Sequence, residues 1–139
     1  MYPLELVAPM TKDLTDFGFE SLNTVDQVDN VLGKNEGTVL MVVNSVCGCA
    51  AANARPAAKL ALSRAAKPDK AVTVFAGVDK EATAKAREYL LPYPPSSPAI
   101  ALFKDGQLVH MIERHHIEGR SAQMIADNLS EAMNNFCKA

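Results

Sequence analysis

The sequence predicts an α/β domain: a central mixed four-stranded sheet flanked by helices, with additional helices on its N-terminal side. Three observations carry that class. Thr38 to Val43 and Val72 to Val78 are near-continuous apolar runs rich in valine, as expected of strands covered on both faces. Helix-periodic segments precede, separate and follow them. The tetrapeptide Lys104-Asp105-Gly106-Gln107 joins two further apolar runs, and Asp-Gly between such runs is a strong hairpin signal.

Each element has a local reason. A short helix is expected from about Met10 to Phe19, with Leu14 and Phe17 on one face. Thr24 and Gln27 have capping-box spacing, Val25, Val28, Val31 and Leu32 give the apolar face of a second helix, and Gly33 stops it. Ala50 to Ala66 reads as helix, interrupted in pattern by Pro56; the reading favours a kink there over a helix that starts late. Asp79 is placed to cap a helix from Lys80 to Leu91 with its carboxylate. Ala99 to Phe103 and Leu108 to Arg114 form the hairpin strands. Ser121 caps a final helix with Ile125, Leu129, Met133 and Phe136 as its stripe. Because helices separate the first three strands, right-handed crossovers are expected to leave them parallel or nearly so.

The composition sets bounds. The chain has 139 residues, 48% apolar and 22% charged, with a net charge of −2. This suits one globular domain, residues 1–139, and gives no basic footprint for nucleic acid or an acidic membrane. The start, MYPLELVAPMTKDL, lacks a basic segment followed by an apolar one, so no secretory signal is expected. The run TVLMVVNSV is too short for a membrane span. Three cysteines do not make a secreted disulfide framework. A cytoplasmic setting follows, where a cysteine pair is more often catalytic or metal-binding than structural.

That pair lies in LMVVNSVCGCAAANARP. Cys47 falls at the carboxyl end of a central strand and at the start of a helix, where open α/β sheets build their sites. Free amides and the helix dipole favour the thiolate there, the form that attacks a disulfide. Cys49 needs another role. Residues two apart in a helix point about 200° away from each other, so a Cys47–Cys49 bridge requires non-helical backbone, which Gly48 is best able to supply. A bridge that tight is easily reduced, which fits exchange chemistry better than a permanent staple. Spacing alone leaves metal binding and inert packing open. Zinc would require further ligands, for which Cys137, His115 and His116 are the candidates.

A second stretch, YPPSSPAIALFKDGQLVH, leads a proline-rich loop into the hairpin. A cis bond between Ser97 and Pro98 would present Ser97 backbone groups to an extended substrate beside the cysteines; a trans proline is the commoner state.

In sum, the succession of strand, cysteine pair, helix, strand, helix, loop-proline, hairpin and helix resembles the thioredoxin fold, with Pro98 in the place of its cis-proline. More narrowly, NSVCGCAAANARPAA, VTVFAGVDKEAT, YPPSSPAIALFKDGQLVH and ERHHIEGRSAQMIADNL resemble the bacilliredoxin family, whose members carry CGC where thioredoxin carries CGPC. The resemblance runs from LVAPM to the final helix. It implies a thioredoxin-like thiol–disulfide oxidoreductase that removes bacillithiol from mixed disulfides on client proteins. Cys47 is then the attacking thiol, Cys49 the candidate resolving thiol, and Gly48, Ser97 and Pro98 the substrate-binding positions. That chemistry requires no bound cofactor or metal, with bacillithiol as co-substrate; charge and hydropathy give no nucleic-acid or membrane partner, and the apolar helix stripes leave monomer or homodimer open. Disulfide isomerase or general reductase activity with the same residues is the enzymatic alternative; a metal-binding or redox-sensing module is the other.

One departure from thioredoxin stands out: TVLMVVNSV has no acidic residue behind the cysteines, and Asn44 and Ser45 cannot take a proton near neutral pH. Other residues are read conservatively. Arg55, eight residues past Cys47 and roughly 12 Å along a helix, is expected to be a solvated surface residue. His115 and His116 are expected to stack or line a turn, and Cys137 to pack as a bystander, with a third redox role as the minority alternative.

Overall fold

The protein is described from a computed structural model covering residues 2–137. A five-stranded sheet runs in the order β1-β3-β2-β4-β5, with β1 Glu20–Ser21, β2 Thr38–Asn44, β3 Lys70–Phe75, β4 Ala99–Lys104 and β5 Gln107–Ile112. Helices α1 Leu4–Thr15, α2 Val25–Leu32, α3 Arg55–Arg64, α4 Lys80–Tyr89, α5 Arg114–Ile117 and α6 Ala122–Phe136 complete the chain.

Every residue of β2 is buried, because the strand is central and both its faces are covered. Its alternation survives inside that burial. Leu40 and Val42 point with Ile100 and Leu102 into one core, closed by α3 and α6 through Ala57, Ala61, Leu129 and Met133. Met41 and Val43 point with Val72 and Val74 into the other, closed by α2 and α4 through Val28, Leu32, Ala82 and Ala86. Each large aliphatic side chain so enclosed contributes about 1.5–3 kcal/mol of transfer free energy.

The caps at Thr24 and Ser121 form as expected: Thr24 Oγ1 accepts from the Gln27 amide, the Gln27 side chain returns to the Thr24 amide, and Ser121 Oγ accepts from the Met124 amide. The hairpin turn also holds, with Asp105 at φ 50° and Gly106 at φ 83°, the left-handed pair a tight two-residue loop demands.

Several expectations are corrected. The sheet has five strands, not four, because two residues before α2 pair with Val72 and Thr73 of β3. The strand starting at Ala99 is antiparallel to β2, not parallel, with Val43 opposite Ala99. The proline-rich loop expected after α4 is present, and residues 90–98 carry the chain back to the carboxyl end of β2. The first helix begins at Leu4 and runs through Pro9; Phe17 is exposed, and Phe19 supplies the buried ring instead. Asp79 sits at the start of α4, but its side chain caps nothing. Pro56 stands in the first turn of α3, preceded by a π-helical turn, Ala50–Ala54, in which the Arg55 amide reaches the Ala50 carbonyl. The proline removes a backbone donor, and the helix answers with a widened turn.

Candidate active site

Cys47 follows the carboxyl end of β2 and takes the place of a helix cap. Its carbonyl accepts from the Ala50 amide at 2.9 Å and from Ala51 at 3.4 Å. Its sulfur accepts from the Cys49 amide at 3.4 Å, the bond an N-cap side chain makes to the second residue of a helix. Both thiols are free and half-buried. The Cys49 thiol, itself donating to the Cys47 sulfur, and then the Cys49 amide hold the Cys47 thiol below its usual range; the Arg114 guanidinium adds to this. Burial pushes the Cys49 thiol up, and the adjoining Cys47 sulfur pushes it further. The two sulfurs are thus tuned in opposite directions, Cys47 toward thiolate and Cys49 toward thiol. Gly48 lies between them, exposed and within the first helical turn; a β-carbon there would meet nothing within 4 Å. Gly48 is helical in this dithiol form; the expectation of non-helical backbone there concerns the closed disulfide.

A hydrogen-bonded chain fixes the segment before Cys47. Ser45 Oγ accepts from the Cys47 amide at 2.9 Å, and Asn44 Oδ1 accepts from the Ser45 amide at 2.9 Å. Asn44 Nδ2 donates to the Met10 carbonyl of α1 at 3.1 Å. Arg55 Nη1 donates to Asn44 Oδ1 at 2.9 Å, while its Nε reaches Asp13 at 3.1 Å. Arg55 is therefore buried, not the surface residue expected; the helix turns it under α1 rather than toward solvent. Burial works against ionisation of Asp13, yet Lys59 and Arg55 together keep its carboxyl below the ordinary value.

The Ser97–Pro98 peptide is cis, and Pro98 is buried. Ser97 lines an open depression of about 350 Å³ beside Cys47, together with Tyr2, Gly77, Arg87 and Arg114. Gly77, at φ 85°, lets the Tyr2 ring come so near that a β-carbon would stand 3.0 Å from Cε2. Arg114, the first residue of α5, is held beside the site: its amide donates to Ser96 Oγ at 2.7 Å, Nη1 to the Ser97 carbonyl at 3.3 Å, and Nε pairs with Glu118. Neither arginine is flagged by spacing in the sequence. Arg114 lies 67 positions from Cys47, and only the return of residues 90–98 brings their loops together.

The residues weighed as zinc ligands do not assemble. Cys137 ends α6 beside Thr38, at the opposite end of β2 and roughly 20 Å from the cysteine pair at strand rise. Burial raises its thiol, and at that separation it lies beyond disulfide reach of the pair. His115 and His116 lie in α5 with ring centroids 4.0 Å apart and planes tilted by 50°, and the His116 ring accepts from the Glu113 amide. Among the described residues, the metal-capable cluster is Glu113, His115 and His116, without a cysteine.

Comparison with known proteins agrees with the fold. Arabidopsis thaliana thioredoxin O2 in its oxidised state superposes with a TM-score of 0.59 at 16% identity, covering 88% of this chain and 97% of that one. Malassezia sympodialis thioredoxin gives 0.56 at 18% identity, covering 86% and 90%. A β-sheet of this order with vicinal thiols at the end of its central strand defines a thioredoxin-fold protein. At the level of sequence, residues 2–137 match the family model described as disulphide isomerase. A bacilliredoxin of Cytophaga hutchinsonii is 60% identical over 129 residues, 93% of this chain and 95% of that protein. One of Salinibacter ruber is 54% identical over 138 residues, 98% and 81% respectively. The chain belongs to the bacilliredoxin family, and it is a thiol–disulfide oxidoreductase.

Proposed function

We propose that this protein removes bacillithiol from mixed disulfides on client proteins in the bacterial cytoplasm. The Cys47 thiolate attacks the bacillithiol sulfur, the client thiolate leaves and takes a proton from solvent, and bacillithiol remains on Cys47. Cys49 then gives up its proton and attacks the Cys47 sulfur, releasing bacillithiol and closing a Cys47–Cys49 disulfide that a thiol reductant reopens. Bacillithiol is a co-substrate in this cycle; no bound cofactor or metal is invoked. Gly48 gives the backbone freedom to close that disulfide, and Ser97, before cis Pro98, offers main-chain groups to the client segment. The reading treats the protein as active in one copy, with a homodimer equally compatible with the cycle.

The observation that carries this reading is the opposite tuning of two adjoining sulfurs, Cys47 toward thiolate and Cys49 toward thiol. Nucleophile and resolving group need those states in that order. Intact-mass measurement after mixing the protein with a bacillithiolated client tests it. A bacillithiol-sized adduct on Cys47 that accumulates in Cys49→Ala is expected; an adduct on Cys49 or Cys137, or none, overturns it.

The description of the matching family model favours one second reading, disulfide isomerisation by the same pair. Faster turnover of a scrambled disulfide substrate than of the bacillithiolated client would select it.

A further inference from the structure

A second cavity, of about 330 Å³, lies between β5, α5 and α6. Arg114 and His116 are two residues apart in α5 and so point about 200° away from each other, Arg114 into the cysteine depression and His116 into this cavity. Met111 and Met124 belong to its apolar lining; His110, His116, Arg120 and Asn128 are its polar groups. The hydrogen bonds already made leave mainly donors free. His116 Nδ1 accepts from the Glu113 amide at 3.2 Å, so the neutral ring carries its proton on Nε2. That nitrogen is not sealed: the buried unpartnered side-chain atoms among the described residues are Thr83 Oγ1 and Arg87 Nε. Asn128 Oδ1 lies 2.7 Å from His110 Nε2, which engages the acceptor of Asn128 and leaves its amide donors. Arg120 is exposed, and among the described residues no carboxylate pairs with its guanidinium. No acidic side chain lines the cavity. The carboxylates of adjoining segments are engaged elsewhere: Glu113 caps α5, Glu118 pairs with Arg114, and Asp127 with Arg64.

We propose that this cavity binds a small aromatic carboxylate, with Arg120 gripping the anionic end and the two methionines holding the ring. An unpaired guanidinium presents a planar fork of donors that matches a carboxylate at two points. The His116 Nε2 proton and the Asn128 amide add neutral donors on the same lining. Thioether side chains are flexible and make favourable contacts with aromatic rings, which suits a flat apolar body. A cavity of about 330 Å³ is in the range of small-molecule sites. A cation finds no counter-charge there, and a purely apolar ligand leaves the donors unanswered. Binding involves no covalent or redox step, and it stands independently of which disulfides the cysteine pair exchanges.

The probes are 2-naphthoate and its neutral counterpart 2-naphthamide, titrated into the full chain while methionine methyl and backbone amide NMR signals are followed. Naphthoate is expected to shift the Met111 and Met124 methyls and the Arg120 amide saturably, with a Kd of about 1 mM or tighter for a ligand of that size. Naphthamide should bind about fivefold more weakly, the worth of a partly shielded ion pair. In Arg120→Gln the two probes bind alike. Met124→Glu, at a position 57% exposed, weakens naphthoate more than naphthamide. Each comparison is made within one protein, so loss of folded material cancels. Absence of a saturable shift, equal affinity for the two probes in wild type, or a preference that survives in Arg120→Gln overturns the site. So do shifts centred on Gly48 and Gly77, which would put the anion in the cysteine depression instead.

Discussion

Replacing Arg55 with methionine isolates what the buried guanidinium does, because the thioether preserves most of the aliphatic stem. The side chain is 7% exposed and its partner Asp13 35% exposed. The substitution removes the bonds to Asn44 Oδ1 and to Asp13, at 2.9 and 3.1 Å. Breaking a fully buried pair costs about 3–5 kcal/mol when a charge is left stranded. Here Asp13 keeps Lys59 and a third of its solvent, and Asn44 Oδ1 still accepts from the Ser45 amide. The expected loss is therefore lower, about 2–3 kcal/mol. Unfolding entropy near 2.1 cal/mol/K per residue over 139 residues gives about 0.3 kcal/mol/K. The melting temperature should thus fall by about 8 °C. Urea unfolding with an unchanged m value, alongside calorimetry, is the assay. A loss below about 0.5 kcal/mol would mean that Arg55 behaves as an ordinary surface residue, and the network behind the cysteines would have to be abandoned.

Removing the Cys49 side chain as Cys49→Ala should move the pH midpoint of Cys47 alkylation upward, since its thiol is the main group lowering the Cys47 pKa; an unmoved midpoint refutes that assignment. The Tyr89 hydroxyl donates to Asp29 at 2.7 Å, and that bond, with burial, pushes its pKa up to about 12 from 10.0. A raised folded pKa means the contribution is complete below pH 10 and is lost as pH climbs toward about 12. Tyr89→Phe should remove this alkaline slope from the stability profile, and an identical slope in the variant would refute it. Gly106→Ala should cost about 2 kcal/mol, combining a left-handed backbone with a β-carbon 2.1 Å from Asn35 Oδ1, whereas Gly48→Ala should change stability by less than about 0.5 kcal/mol. Denaturation midpoints of the two variants check this, and similar losses would contradict it.

What the sequence made legible was whatever depends on near neighbours. The apolar runs of β2 and β3, the Thr24 box, the Asp105-Gly106 turn and the Ser121 cap all declare themselves within a few residues. The position of Cys47 between strand and helix follows from the same local signals. Glu20–Ser21 is too short and too polar to carry a strand pattern. The direction of β4 depends on where residues 90–98 return, and no periodicity encodes that. Arg55 was misplaced for a related reason: distance along a helix says how far it is from Cys47, not that α1 lies over it with Asp13. Arg87 and Arg114 enter the site from separate segments, so chain order alone gave no reason to pair either with the cysteines.

The isolation of Cys137 limits what oxidation can do to one molecule. Sealed at the far end of β2, it lies well beyond disulfide reach of either sulfur of the pair. Thiol shuffling within a folded chain therefore has a single outcome, and the odd cysteine cannot divert it. An oxidant titration of native protein should accordingly reach its end after two electrons per chain, with the third thiol surfacing only when the fold is opened.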